Sequence, residues 1–126
     1  MQFMMIVKGD ENFAASGPPP KELMDAVGKL GEEATKAGKM VSMGGLQHTA
    51  KGARVRIEGG KLRVIDGPFM ESKEVIGGFS IMDVGSREEA IEEARKFMAL
   101  HGQLWKGWDG ECEVRQMYEG PPDFGG

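Results

Sequence analysis

Five consecutive apolar residues, Phe3-Met4-Met5-Ile6-Val7, place the tightest limit on how this chain folds. A strand with one wet face alternates apolar and polar residues; an unbroken run needs cover on both faces. The segment Gln2 to Lys8 therefore predicts a central strand, and the rest of the chain must supply two layers over it.

One layer is easy to find. Gly9 to Gly17 is polar and rich in turn formers, a loop. Pro18-Pro19-Pro20 then leads into a helix, since a first turn tolerates proline's missing N–H. Leu23, Val27, Leu30, Ala34 and Ala37 recur at helical spacing, with Lys21, Asp25, Lys29, Glu32, Glu33 and Lys36 on the other face. Gly38 suits the residue after the last turn. Gly28 and Gly31 each cost a helix about 1 kcal/mol relative to Ala, which either close approach to a sheet or slack selection would explain. A second helix begins at the capping box Ser86-Arg87-Glu88-Glu89, in which Ser86 accepts from the Glu89 amide and Glu89 reaches back. Ala90, Ile91, Ala94, Phe97 and Met98 form its apolar face, and His101-Gly102 is its expected end.

The remaining strands follow from period-two runs. Lys39 to Leu46 is interrupted by Gly44-Gly45, a sign of a bulge or of close approach by a ligand or another backbone. Ala53 to Ile57 and Lys61 to Ile65 alternate around Glu58-Gly59-Gly60, a hairpin with arginines on one face. Gly77 to Val84 and Glu111 to Tyr118 complete the set. Gln103 to Gly110, holding Trp105 and Trp108, reads as a loop, and 119–126 as a flexible tail. The order is strand, helix, strand, inserted hairpin, strand, helix, strand. Without the insertion this is the split βαβ pattern of an α+β, ferredoxin-like βαββαβ fold. Both helices cover one face of the sheet. A second copy of the chain is the simplest cover for the other, so the expected assembly is a homodimer, a dimeric α+β barrel built from one domain per chain.

With 126 residues the chain suits one core, and its net charge of −4 disfavours nonspecific nucleic-acid binding. Lys51, Arg54, Arg56, Lys61 and Arg63 are close together but read as the outer dressing of the hairpin. The single Cys112 excludes an internal disulfide and sits where a buried strand thiol is usual. The ten methionines read as adaptable core filler. The apolar start is too short for a signal segment or a membrane span, so the expectation is a cytoplasmic protein without membrane association.

Asp66-Gly67-Pro68-Phe69, with Lys73-Glu74 after it, is the most distinctive stretch. With it in place the chain resembles the YCII-related family, in particular its DGPF subgroup. Gly45-Leu46, Lys51 to Arg56, Gly60-Lys61, Asp66 to Glu74, Gly78-Phe79, Glu89 to Glu92 and Glu113 to Arg115 follow one another as in that subgroup. The resemblance implies a dimeric α+β barrel. It also implies either small-molecule enzymes working through a His–Asp pair or regulatory proteins associated with sigma factors. Many subgroup members look like Leu-His-Pro where this chain has Leu46-Gln47-His48. On a strand, one step turns a side chain to the other face; at a strand end the loop decides.

The candidate catalytic pair is thus His48 and Asp66. His48 has the right ordinary pKa for a general base, near 6.5, and Asp66 is placed to orient it. Asp66 has a structural reading too, closing a turn by accepting backbone N–H groups around Gly67. Phe69, Lys73, Arg54, Met43 and Phe79 are the candidate substrate-binding residues, with Phe3 and Met5 in the same lining, on the helix-free side of the sheet. His101, at a helix C-terminus, reads as a residue whose cationic form the helix dipole favours. Trp105 and Trp108 read as interface filler or pocket shield. No zinc spacing, phosphate loop or cofactor motif appears. Two functions fit: a proton-transfer enzyme of lyase, isomerase or hydrolase type, or a non-catalytic module that binds a ligand or a regulatory partner such as a sigma factor.

Overall fold

The computed structural model describes residues 1–10, 18–69 and 75–120. Its elements are β1 (Gln2–Gly9), α1 (Lys21–Lys36), β2 (Met40–Gly45), a short 3-10 turn (Thr49–Lys51), β3 (Ala53–Glu58), β4 (Lys61–Asp66), β5 (Val75–Asp83), α2 (Arg87–Leu104) and β6 (Gly110–Gln116). Four strands make one antiparallel sheet in the order β2-β5-β1-β6, while β3 and β4 form a separate two-stranded sheet. With the hairpin set aside, the order is that of the ferredoxin-like fold the strand and helix pattern predicts.

The run in β1 is central, as its composition demands: β5 pairs on one side and β6 on the other. Alternation then sorts its residues. Phe3 and Met5 point to the helices and are 2% and 4% exposed. They join Ala34 of α1, Met82 and Val84 at the end of β5, and Ala90 and Ala94 of α2 in one core, with Met40, Cys112 and Val114 packed against it. Leu23 of α1 is also fully buried. Met4 and Ile6, paired with Ile81 and Phe79 across β5, lie on the opposite face and are half-buried. Among the described residues, no helix packs on that face.

The helix ends show both agreement and difference. The Glu89 amide donates to Ser86 Oγ at 3.1 Å, and Glu89 Oε2 accepts from the Gly85 amide, one residue further back than the usual capping box. α2 does not stop at His101-Gly102 but runs through Gly102 to Leu104, leaving a shorter loop before β6. Aromatic packing explains the extra turn: His101 is 7% exposed, and its ring lies 4.5 Å from Phe97 and 4.8 Å from Trp108, which stacks on Trp105. Burial pushes the His101 pKa down, against a weaker upward pull from its hydrogen bond to the Phe97 carbonyl. The buried neutral form displaces the expected dipole-stabilised cation. The two tryptophans pack around this histidine.

The glycines in α1 divide. A Cβ at Gly31 would lie 2.9 Å from Met43 Sδ, so here helix and sheet do approach closely; at Gly28 nothing lies near. In β2 the bulge falls between Met40 and Ser42, not at Gly44-Gly45. Gly44 instead faces Phe79 across the ladder, where a Cβ would sit 3.1 Å from the ring. The glycine thus makes room for an aromatic ring.

Candidate functional site

The stretch that carries the family resemblance folds back on the 3-10 turn. His48 caps that turn, its Nδ1 accepting the Ala50 amide at 3.0 Å. Asp66 ends β4, paired with Ala53 at the base of the hairpin. Two bonds then clamp the segment after it. The Gly67 amide donates to the Gly52 carbonyl at 2.9 Å, and the Phe69 amide donates to Thr49 Oγ1 at 3.1 Å. Gly67 lies so close to the turn that any Cβ there would collide with the Thr49 carbonyl. Thr49 and Gly52 accept the amides that the Asp66 carboxylate was expected to take, so that carboxylate is not what closes the turn.

His48 and Asp66 are therefore anchored to two sides of one loop cluster. His48 lies beyond the end of β2, where strand alternation no longer fixes which way a side chain points. Arg54 stacks on Phe69, its guanidinium carbon 3.9 Å from the ring centroid. This is a cation–π contact, and it commits both residues to each other. Lys73 lies outside the described residues.

Met43 takes part in a different place, a cavity of about 370 Å³ between the helices and the sheet, which Phe79 also borders although the register sets it beside Ile6 on the helix-free face. Its lining includes Met5 and Val7 of β1, Met24, Val27 and Leu30 of α1, and Phe97 of α2. Met24, Met43 and Leu46 line it while remaining about half exposed, 53%, 46% and 53%, so they mark where it meets solvent. Of the residues expected on the helix-free side, Met5 joins this cavity too, and Phe3 lies in the helix-side core.

Among the described residues, one charged side chain lines the cavity, Glu93 of α2, which is 8% exposed. Lys39 Nζ lies 3.2 Å from its Oε1 and Lys96 Nζ 3.3 Å. Lys39 also reaches Glu89 at 3.3 Å. Hydrogen bonds to Glu93 and then to Glu89 raise the Lys39 pKa, while the Gly85 amide and then Lys39 lower that of Glu89. Sequence reasoning missed Glu93 and Lys39. The only available signal was a glutamate one place before Ala94 on a helix whose buried face is built from alanines. Cys112 also lines the cavity; burial pushes its thiol pKa up, which keeps it protonated.

A small α+β protein with a ferredoxin-like sheet, two helices on one side and an apolar cavity beneath them is the class this geometry defines. Comparison with known proteins gives the family. The YCII-related domain matches residues 1–100, and the chain belongs to that family. A protein of Rhizobium meliloti (strain 1021), described as uncharacterized, is 30% identical over 97 residues, spanning 75% of this chain and 78% of its own length. Among the described residues, no helix is long and apolar enough to cross a membrane.

Proposed function

We propose that the protein binds a small, mostly apolar molecule in the cavity between its helices and its sheet. One observation carries this reading: about 370 Å³ of space, lined by methionine, aliphatic and aromatic side chains and, among the described residues, a single carboxylate, opens beside β2. Ligand pockets run from about 300 to 1,000 Å³ and are typically apolar with a few polar groups that set orientation. Methionines suit a site that must shape itself to its occupant. Glu93, its Oε1 already paired with Lys39 and Lys96, marks the polar end of the cavity.

The cluster holding His48 and Asp66 supports a second, catalytic reading. Leu46 marks the cavity mouth, and His48 follows it by two residues. In that reading His48 is the base, Asp66 orients it, and a proton is moved on the part of the ligand that reaches the mouth.

Fluorescence displacement and thermal shift with decanol, decylamine and decanoate test the site. Saturable binding of decanol, abolished by Ala94→Phe, is the expected result. Binding that survives Ala94→Phe, or no saturable binding at all, defeats the proposal. His48→Ala and Asp66→Asn should leave affinity intact; a loss of turnover in both, on any ligand found to react, would favour the catalytic reading.

A further inference from the structure

Among the described residues, three polar side chains line the cavity: Glu93 of α2, Ser80 of β5 and Cys112 of β6. They differ in what they offer a ligand. The Ser80 hydroxyl both donates and accepts, and the Cys112 thiol does each weakly; the Glu93 carboxylate only accepts. Glu93 and Phe97 lie four residues apart on α2, so one face of the helix carries both into the lining, with Ala94 beside them. The bonds to Glu93 are one-sided. Lys39 and Lys96 both donate to Oε1, at 3.2 and 3.3 Å, and among the described residues no hydrogen bond reaches Oε2. Neither lysine lines the cavity, and their side chains are 32% and 50% exposed, so they approach the carboxylate from its solvent side. Glu93 itself is 8% exposed. A carboxylate oxygen buried to that degree has lost the hydrogen bonds that water gave it and is costly to leave without a donor.

We infer that Glu93 Oε2 accepts a hydrogen bond from a hydroxyl on the cavity's ligand, which makes that ligand an apolar molecule with a neutral O–H donor, an alcohol or a phenol. The inference rests on the ligand-binding reading of the cavity and sharpens it. Two features set the head group. First, an oxygen that only accepts demands a donor. An ether or ester of the same shape fills the apolar space but leaves Oε2 unpaired, whereas Ser80 serves a donor or an acceptor equally and discriminates between neither. Second, the charges at this end of the cavity cancel. Glu93 and Glu89 stand against Lys39 and Lys96, two carboxylates against two ammonium groups. A charged head group would give up its water without meeting an excess of opposite charge, and a hydroxyl has far less hydration to lose.

The test compares 1-decanol with 1-methoxynonane, isomers of nearly equal length of which only the first carries an O–H. Titration of the full chain near neutral pH should show decanol binding tighter by about tenfold or more. In Lys39→Met/Glu93→Leu, which replaces both ions with apolar groups, the ratio should fall to about one; in Ser80→Ala it should stay at the parent's value. A readout on the unmodified protein needs no variant: with carboxyl-labelled glutamate, one side-chain carboxyl NMR signal should move with decanol and stay in place with 1-methoxynonane. Equal affinity for the two isomers, with both abolished by Ala94→Phe, would keep the cavity as a binding site and overturn the role of Glu93. Binding of either isomer that survives Ala94→Phe would defeat the cavity reading itself, and this inference with it. A preference lost in Ser80→Ala but kept in the double variant would move the donor requirement to Ser80 and overturn the inference. Decylamine binding more tightly than decanol would overturn the neutral head group.

Discussion

The Phe69 amide donates to the side-chain hydroxyl of Thr49 at 3.1 Å, joining the two segments that carry His48 and Asp66. A bond of this kind contributes about 1 kcal/mol net, and more when its loss leaves a buried donor unpaired. Thr49→Val should therefore lower stability by about 1–2 kcal/mol in chemical denaturation, while Thr49→Ser should come within a few tenths of the parent. A loss in Thr49→Ser with none in Thr49→Val would show that the methyl group, not the hydroxyl, holds the segment.

Gly67 and Gly28 make opposite cases within one chain. A Cβ at Gly67 collides with the Thr49 carbonyl, a backbone atom that cannot move aside cheaply, whereas a Cβ at Gly28 meets open space on an exposed helix face. Gly67→Ala should cost about 2 kcal/mol or more, in the range of overpacked sites. Gly28→Ala should gain up to about 1 kcal/mol from helix propensity. Thermal melts of the two variants against the parent decide the matter, and a stable Gly67→Ala protein would mean that the turn is looser than the clamp requires.

How legible the fold was depended on whether a residue answers to local or distant neighbours. The run from Phe3 to Val7, the stripe of α1 and the box at Ser86 each carry their own periodicity, and the structure follows them. The end of α2 does not: Gly102 signals a stop, but the aromatic packing of His101 with Phe97 and Trp108 overrides it. The site divides in the same way. Alternation correctly put Arg54, Arg56 and Arg63 on one face of the hairpin, and two glycine positions flagged close approaches that the structure assigns to Met43 and Phe79. Nothing local announces that Thr49 will hold Phe69, twenty residues away. Nor does it announce that Glu93 will be buried against Lys39, because that pairing arises only when β2 and α2 meet.

His101 sets a pH dependence whose sign follows from its surroundings. Burial holds its folded pKa below the ordinary 6.5. Between those two values the unfolded chain binds more protons than the folded one, so stability is fully present above 6.5 and falls as the pH drops through that window. Denaturation midpoints should decline as the pH falls below about 6.5, and the decline should flatten in His101→Phe, which keeps an aromatic ring in the cluster. A His101→Phe protein with the parent's slope would move the dependence to other groups. Glu89, Glu113 and Glu58 are held below the ordinary carboxylate value by the Gly85 amide, Lys8 and Arg63 respectively. Their contributions are present above about 4.5 and are lost only under more acidic conditions, outside that window.

Lys39 joins three elements, and its removal should expose what the buried carboxylate costs. Its amide donates to the Ala34 carbonyl, its carbonyl accepts from Asp83, and its ammonium lies 3.2 Å from Glu93, which is 8% exposed. Removing one partner of a buried pair costs about 3–5 kcal/mol. Here Lys96 still faces Glu93, and Lys39 itself is about a third exposed, so Lys39→Met should cost clearly less. Replacing both ions with apolar groups removes the desolvation penalty as well as the attraction. The double variant Lys39→Met/Glu93→Leu should therefore be more stable than Lys39→Met alone. A double variant weaker than the single one would mean that Glu93 is stabilised by its setting without Lys39. In that case the cavity's polar end would rest on Lys96.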